Sequence, residues 1–279
     1  MHRAHAKINL GLRIVGRRAD GYHDIETIFH RVSLHDNLQL EASGQIEVTS
    51  SSREAPGGEA NICHQAVRLL QDHLNVRAGA RIHIQKTVPV GAGLGGGSSD
   101  AALVLRELPR LWGVEVTEES LQKIALKLGS DVPYFLGAGS ALARGRGEQL
   151  RYVRLSIPFV ILLCYPNIHV STAWAYSQAS PSGTGPDLLG LLQQGLDTPA
   201  LLQRTLQNDF EPTVLAAHPD IRRVKDEMLQ GGALYASLSG SGSSVFGFFR
   251  TDEEAAGPAE RFRERGYTTN TTPPGFLPP

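Results

Sequence analysis

Residues Ala6, Ile8, Leu10, Leu12 and Ile14 alternate with Lys7, Asn9, Gly11 and Arg13. A period of two predicts a strand with one buried face. Further strand patterns run over residues 27–32, 38–41, 45–49 and 81–88. Residues 51–59 are small, polar and Gly/Pro-bearing, which predicts a surface loop. Between them, Ile62, Ala66, Leu69, Leu70 and Leu74 fall at helical spacing, predicting a helix over residues 61–74. A second helix is predicted over 98–112, with a kink at Pro109, and a third over 117–128, where Leu121, Ile124, Ala125 and Leu128 share a side and Gly129 ends the pattern.

The second half begins with an apolar strand over residues 159–164, central in its sheet. Helices are predicted over 188–196, 199–215 and 221–229, a hairpin over 234–249 and a last helix over 253–265. The proline-rich residues 271–279 read as an ordered strap or a loose tail. No internal repeat is visible. A boundary near Tyr152 divides the chain into domains of residues 1–152 and 153–279, and 279 residues suffice for two closely joined domains.

Composition narrows the function classes. An apolar fraction of 41% and a charged fraction of 20% suit an ordinary globular protein. A net charge of −1 gives no global basic field for a nucleic acid or an anionic membrane, so neither is expected as a partner. An anionic ligand must therefore be held by local geometry. Cys63 and Cys164 are the two cysteines, far apart in sequence, and predict reduced thiols. The first residues lack an apolar core, so a signal peptide is not expected. The longest apolar run, residues 157–165, is far short of the ~20 residues of a membrane helix. A cytoplasmic location is expected by elimination.

The chemistry-bearing stretch is P-V-G-A-G-L-G-G-G-S-S-D-A-A, from Pro89 to Ala102, with five glycines in the seven positions 91–97. Gly91, Ala92, Gly93, Leu94, Gly95, Gly96 and Gly97 let backbone N–H groups crowd around one anion. The following helix adds unpaired donors and about half a positive charge. Ser98 and Ser99 can cap that helix, ligate a metal-bound phosphate, or do both. The pattern predicts a polyphosphate cradle. A mobile linker is the bland alternative. A dinucleotide-binding turn is another, because Gly91, Gly93 and Gly96 fit its spacing. The preceding strand alternates, whereas a central parallel strand would be nearly all apolar. The Walker pattern fails, since no G-K-[ST] follows.

Asp131 stands in L-G-S-D-V-P-Y-F, between the stop at Gly129 and Pro133, which suits a helix first turn. It reads either as a catalytic carboxylate or as a plain N-cap. Lys7 and Asn9 lie two apart on a strand and share a side. A lysine there can hold a carboxylate ionised and offset charge on a phosphate; the alternative is a solvated strand face.

Three segments together resemble the galactokinase, homoserine kinase, mevalonate kinase and phosphomevalonate kinase superfamily. They are A-K-I-N-L (residues 6–10), the glycine-rich stretch, and L-S-G-S-G-S-S-V-F (residues 238–246), in the family's order. R-R-A-D-G-Y-H (17–23), G-S-D-V-P-Y-F, A-R-G-R-G-E (143–148) and Q-N-D-F-E (207–211) resemble the branch whose acceptor is a cytidine-diphosphate-linked polyol. The resemblance implies an α+β fold of two domains, an N-terminal ATP-binding one like ribosomal protein S5 and a ferredoxin-like substrate-side one. It implies ATP and Mg²⁺ as cofactors, an alcohol as acceptor, and a monomer or weak homodimer. By resemblance Asp131 is the base and Lys7 its partner, Asn9 contacts substrate, and Tyr22 with His23 reads the cytidine. Phe29 and Tyr176 sandwich the base, with Trp174 a rival for Tyr176 and a plain core role the alternative for Phe29. Asn61 falls near the adenine pocket. Gly240 and Gly242 belong to the third motif, which closes over the phosphate and substrate region; alone, that motif would read as a glycine hairpin.

Overall fold

A computed structural model describes residues 1–278; Pro279, the last residue of the proline-rich stretch, lies outside the described residues. In chain order the elements are β1 (His2–Arg17), β2 (His23–Ser43), β3 (Ile46–Ser50), α1 (Ile62–Leu74), β4 (Gly79–Gln85), α2 (Gly96–Trp112), α3 (Glu118–Leu128), α4 (Val132–Leu136), β5 (Ser140–Arg144), β6 (Gln149–Val153), β7 (Val160–Tyr165), α5 (Thr172–Gln178), α6 (Leu188–Asp197), α7 (Leu202–Thr205), α8 (Glu211–Ala217), α9 (Pro219–Gln230), β8 (Tyr235–Leu238), β9 (Val245–Phe249), α10 (Asp252–Glu264) and β10 (Thr268–Thr272). The contacts group the chain into two compact units. The first holds Met1–Ala6, His35–Val90 and Gly95–Ala138; the second holds Lys7–Leu34, Gly91–Leu94 and the chain from Gly139 onward.

In the first unit, β4 pairs in parallel with β3, from Ile46↔Ala80 to Ser50↔Ile84, and antiparallel with the second half of β2. A parallel neighbour requires a crossover, and α1 supplies it. Asn61 starts α1 by accepting the Cys63 N–H, and Asn75 ends it in the left-handed region with φ 52°. Helices α1, α2 and α3 pack on one another. Ala66, Val67 and Leu70 of α1, Val104, Leu105 and Leu108 of α2 and Ile124 and Ala125 of α3 are all buried, at the spacing that puts them on one helical face. Pro109 sits within α2, whose first residue is Gly96, two before the predicted start.

In the second unit, β5 pairs with the first half of β2 and with β6, antiparallel in both cases. A separate four-stranded sheet has the order β10-β7-β9-β8, every pair antiparallel. Numbered by first appearance, that order is 4-1-3-2, with helices between its first and second strands and α10 between its third and fourth. This is the ferredoxin-like arrangement. Strand β7 is buried throughout, as its unbroken apolar run predicts. Ile221, Val224 and Met228 of α9 and Ala255, Ala259 and Phe262 of α10 share a core with Leu162, Cys164, Val245 and Phe249 of the sheet.

Several elements differ from the sequence reading. Strand β1 is buried on both faces from Ala4 to Leu12, because its polar members bond internally. The predicted strands at 27–32 and 38–41 are one continuous β2. The predicted helix over 199–215 breaks after Thr205 and resumes at Glu211. The break arises where Asp209 N–H bonds the Leu12 carbonyl and the Asn208 side chain takes the Phe210 N–H. The proline-rich stretch starts as the end of β10, whose β-branched threonines register on β7. Both cysteines are buried, and burial raises both thiols above their ordinary value.

Candidate active site

The alternation of β1 delivers Lys7 and Asn9 to the same side, and both are buried. Burying an ammonium is costly unless its donors are paired. Lys7 Nζ donates to Asn9 Oδ1 at 2.7 Å and to the Gly93 carbonyl at 3.2 Å, and stands 5.0 Å from the Phe29 ring centre. Asn9 Nδ2 donates to Thr27 Oγ1 at 3.0 Å, and that hydroxyl donates to the Gly11 carbonyl at 2.6 Å. The relay fixes which end of the Asn9 amide faces Lys7. The solvated-face reading of these two residues is excluded by their burial.

The Gly93 carbonyl also accepts the Ser239 hydroxyl at 2.9 Å. One oxygen thus joins all three motifs: Lys7 from the first, Gly93 from the second and Ser239 from the third. Backbone bonds reinforce the junction, from Lys7 N–H to Leu94 O at 2.9 Å and from Ser244 N–H to Ala92 O at 3.2 Å. The third motif is the β8–β9 connection, and it is more than a plain hairpin. Asn208 Nδ2 donates to the Leu238 and Gly240 carbonyls at 3.0 and 2.8 Å, and the Ser241 and Thr172 hydroxyls bond at 3.1 Å. Gly240 and Gly242 have φ of 59° and 88°, which glycine alone adopts readily. Asn208 and Ser239 fall within the Q-N-D-F-E and L-S-G-S-G-S-S-V-F stretches, yet no local pattern gives either a role, and Thr27 gives no signal of its own.

The start of α2 lies in the first unit. Gly95, with φ 67°, holds the N-cap position and no side chain caps the helix, so its first N–H donors stay available. The serines therefore do not cap. Ser99 is buried and its hydroxyl donates to the His5 carbonyl at 2.8 Å, while Ser98 is half-buried. Gly97 is exposed, and a Cβ there would meet nothing nearer than Ile62 at 3.7 Å. Pro89 is half-buried. Asn61 has both ends of its amide engaged, accepting from Cys63 N–H at 2.9 Å and donating to the Pro56 carbonyl at 2.8 Å.

Asp131 occupies the N-cap position of α4, with Pro133 in the first turn as expected. Its carboxylate makes no capping bond to that helix. The plain N-cap reading is therefore excluded.

The aromatic residues assort in the second unit. His23 and Tyr176 stack with ring centres 5.0 Å apart and planes at 18°. Tyr176 meets Phe210 edge-on at 4.8 Å. Trp174 instead packs edge-on against His218 at 5.6 Å, so Tyr176 is the ring of this helix beside His23. Tyr22 is exposed under the Arg146 guanidinium, 4.8 Å from its ring centre. Phe29 is 1% exposed, and a base stacking on it requires one of its faces to be uncovered.

Comparison with known proteins places these features. The model of the GHMP kinases N terminal domain matches residues 61–139, and that of the GHMP kinases C terminal matches residues 188–268. A 4-diphosphocytidyl-2-C-methyl-D-erythritol kinase of Chlorobium phaeobacteroides is 46% identical over 97% of this chain and 94% of its own length. Its counterpart in Prosthecochloris aestuarii is 43% identical over 98% and 97%. A crystal structure of a 4-(cytidine 5'-diphospho)-2C-methyl-D-erythritol kinase superposes with a TM-score of 0.85 at 33% identity, covering 99% of each chain. A homoserine kinase structure from Cytophaga hutchinsonii shares the fold, with a TM-score of 0.71 at 20% identity over 97% and 95%. With both domain models, the full-length relatives and the ferredoxin-like sheet in agreement, the chain belongs to the 4-diphosphocytidyl-2-C-methyl-D-erythritol kinase family of the GHMP kinases.

Proposed function

We propose that the protein uses ATP to phosphorylate the 2-hydroxyl of 4-diphosphocytidyl-2-C-methyl-D-erythritol, a step of the non-mevalonate route to isoprenoid precursors. The observation that carries this reading is the Gly93 carbonyl, where a buried lysine, the glycine loop and the third motif meet. Phosphoryl transfer needs positioned groups and charge neutralisation rather than covalent chemistry from the protein.

The residues of the loop fit a polyphosphate. An uncapped 17-residue helix follows it, and Gly97 leaves open space above the first turn. Pro89 and residues 91–99 would hold the phosphates and Asn61 would border the adenine. ATP supplies the transferable phosphoryl group. Mg²⁺, the other cofactor the resemblance implies, would come in with the phosphates of ATP. Asp131 accepts the acceptor hydroxyl proton, a role supported by its place in the G-S-D-V-P-Y-F stretch that carries the family resemblance. Lys7 offsets developing charge, and Asn9, with its amide orientation fixed, contacts the acceptor. His23 and Tyr176, stacked as a pair, and Tyr22, adjacent to His23 in sequence, form the base-reading group; Phe29 would join it as a stacking ring only with one of its faces uncovered. Gly240 and Gly242 shape the loop over the substrate. In this proposal the nucleotide side extends to Tyr152 and the substrate side begins at Val153. The protein works in the cytoplasm as a monomer or weak homodimer.

An ATP-consumption assay with the cytidine-diphosphate polyol beside homoserine and mevalonate tests the substrate. Turnover confined to the first is expected; preference for either of the others would overturn the assignment. Asp131→Asn is expected to lower kcat by roughly 10²–10⁴ with near-normal ATP binding. Full turnover by that variant would remove Asp131 from the mechanism.

A further inference from the structure

A second buried ionic centre lies in the first unit. Lys86, directly after β4, places Nζ 2.5 Å from Asp36 Oδ2 of β2 and 2.8 Å from Asp100 Oδ2 of α2. The side chains are 6%, 0% and 3% exposed. Asp36 Oδ1 accepts the backbone N–H of Thr87 at 2.6 Å and of Val88 at 2.8 Å, so Asp36 is saturated. Asp100 differs: its Oδ1 is buried without a hydrogen-bond partner.

Isolated buried charges are expensive, and a buried ion pair is weak evidence for stability because apolar packing often replaces it without loss. The arrangement is better explained by what it connects. Asp36 grips the backbone that enters the glycine loop. Asp100 lies one turn into the helix that leaves it. Lys86 bridges the two, and its ammonium sits under the first residue of α2, 3.1 Å from where a Cβ on Gly96 would stand. Strand segment 86–88 and helix start 96–100 are thereby locked to each other on either side of the loop.

We propose that Asp36, Lys86 and Asp100 form a positioning clamp that presets the glycine loop and the start of α2 for a polyphosphate, with Asp100 tying the helix to the clamp. The inference rests on reading the loop as the phosphate cradle. Preorganised donors bind more tightly because ordering is not left to the moment of binding. Burial pushes Asp100 up to about 7 despite the adjacent ammonium, which agrees with a carboxylate retained for its connection rather than for its charge.

Asp100→Ala is the cleanest test in the full-length protein, because it leaves Asp36 and Lys86 as a neutral pair and orphans no charge. ATP affinity by titration calorimetry is expected to fall about tenfold, equivalent to about 1.4 kcal/mol. The melting temperature and the KM for the acceptor should stay close to those of the parent. Asp100→Asn, which keeps an acceptor for the ammonium, should recover most of the loss. Parental ATP affinity in Asp100→Ala would overturn the clamp, as would equal losses for ATP and acceptor, which signal general damage. If Asp100→Ala melts at the assay temperature, Asp100→Leu, which fills the space of the lost carboxylate and keeps the Asp36–Lys86 pair, takes the same readouts. Gly97→Leu separates the two levels. If it leaves ATP affinity intact, the cradle reading falls and the clamp with it. If it weakens ATP binding while Asp100→Ala does not, the clamp alone fails.

Discussion

At Gly93 the backbone has φ 79°, and a side chain would overlap the Ser239 carbonyl oxygen. At Gly97, further along the same loop, the backbone is already helical and a Cβ would find only a methyl group at 3.7 Å. The first glycine serves the protein's own packing, because the third motif presses on it. The second keeps space clear above a helix start, where a Cβ would meet no described residue nearer than Ile62 at 3.7 Å. A run of glycines therefore does not measure how closely a ligand approaches. Each position has to be asked what its missing side chain would strike.

Substitutions along the loop and at its contact with the third motif sharpen the contrast. The largest effect is expected for Gly93→Ala, about 3–5 kcal/mol of stability, because a backbone oxygen cannot move aside and the φ is unfavourable as well. Chemical denaturation measures it, and a loss below about 1 kcal/mol would break the packing half of the comparison. Gly97→Leu should instead leave the melting curve alone and weaken ATP by roughly 10–100-fold, about 1.4–2.8 kcal/mol. Gly91→Ala falls between. Its φ is 66°, but the atoms in the way belong to the exposed His169 ring, which can swing off. A cost of about 1–2 kcal/mol is expected from the left-handed backbone alone. Ser239→Ala removes one of the two hydrogen bonds on the Gly93 carbonyl and should cost about 1 kcal/mol.

These positions also mark where sequence reasoning stopped. Alternation placed Lys7 and Asn9 on one side of a strand, and that holds. It left the occupant of that side open, because a period of two describes one strand and not what packs against it. The Gly93 carbonyl joins positions 7, 93 and 239, separations at which no local pattern operates. Helices with a strong apolar stripe and a natural stop, such as α1 and α3, were legible from residues alone. Strands β5, β6 and β10 and helix α5 were not. Each is five to seven residues long, too short for a period to show. The break at residues 206–210 was hidden for another reason: Asn208 and Asp209 take their partners from Leu238, Gly240 and Leu12, so tertiary bonds overrode helical spacing. Length allowed two domains, but their S5-like and ferredoxin-like identities and the roles of Asp131, Tyr22 and His23 came from resemblance rather than from periodicity.

The two cysteines have a practical consequence. Cys63 lies in the first unit and Cys164 in the second, and both are buried with thiols held in their unreactive protonated form. Alkylating reagents will therefore label each one only during transient exposure. With either cysteine replaced by alanine, the remaining one becomes a clock for the opening of its own unit. The chain thus carries a native pair of unfolding reporters, one per unit, and ATP added to the reaction will show which of them slows.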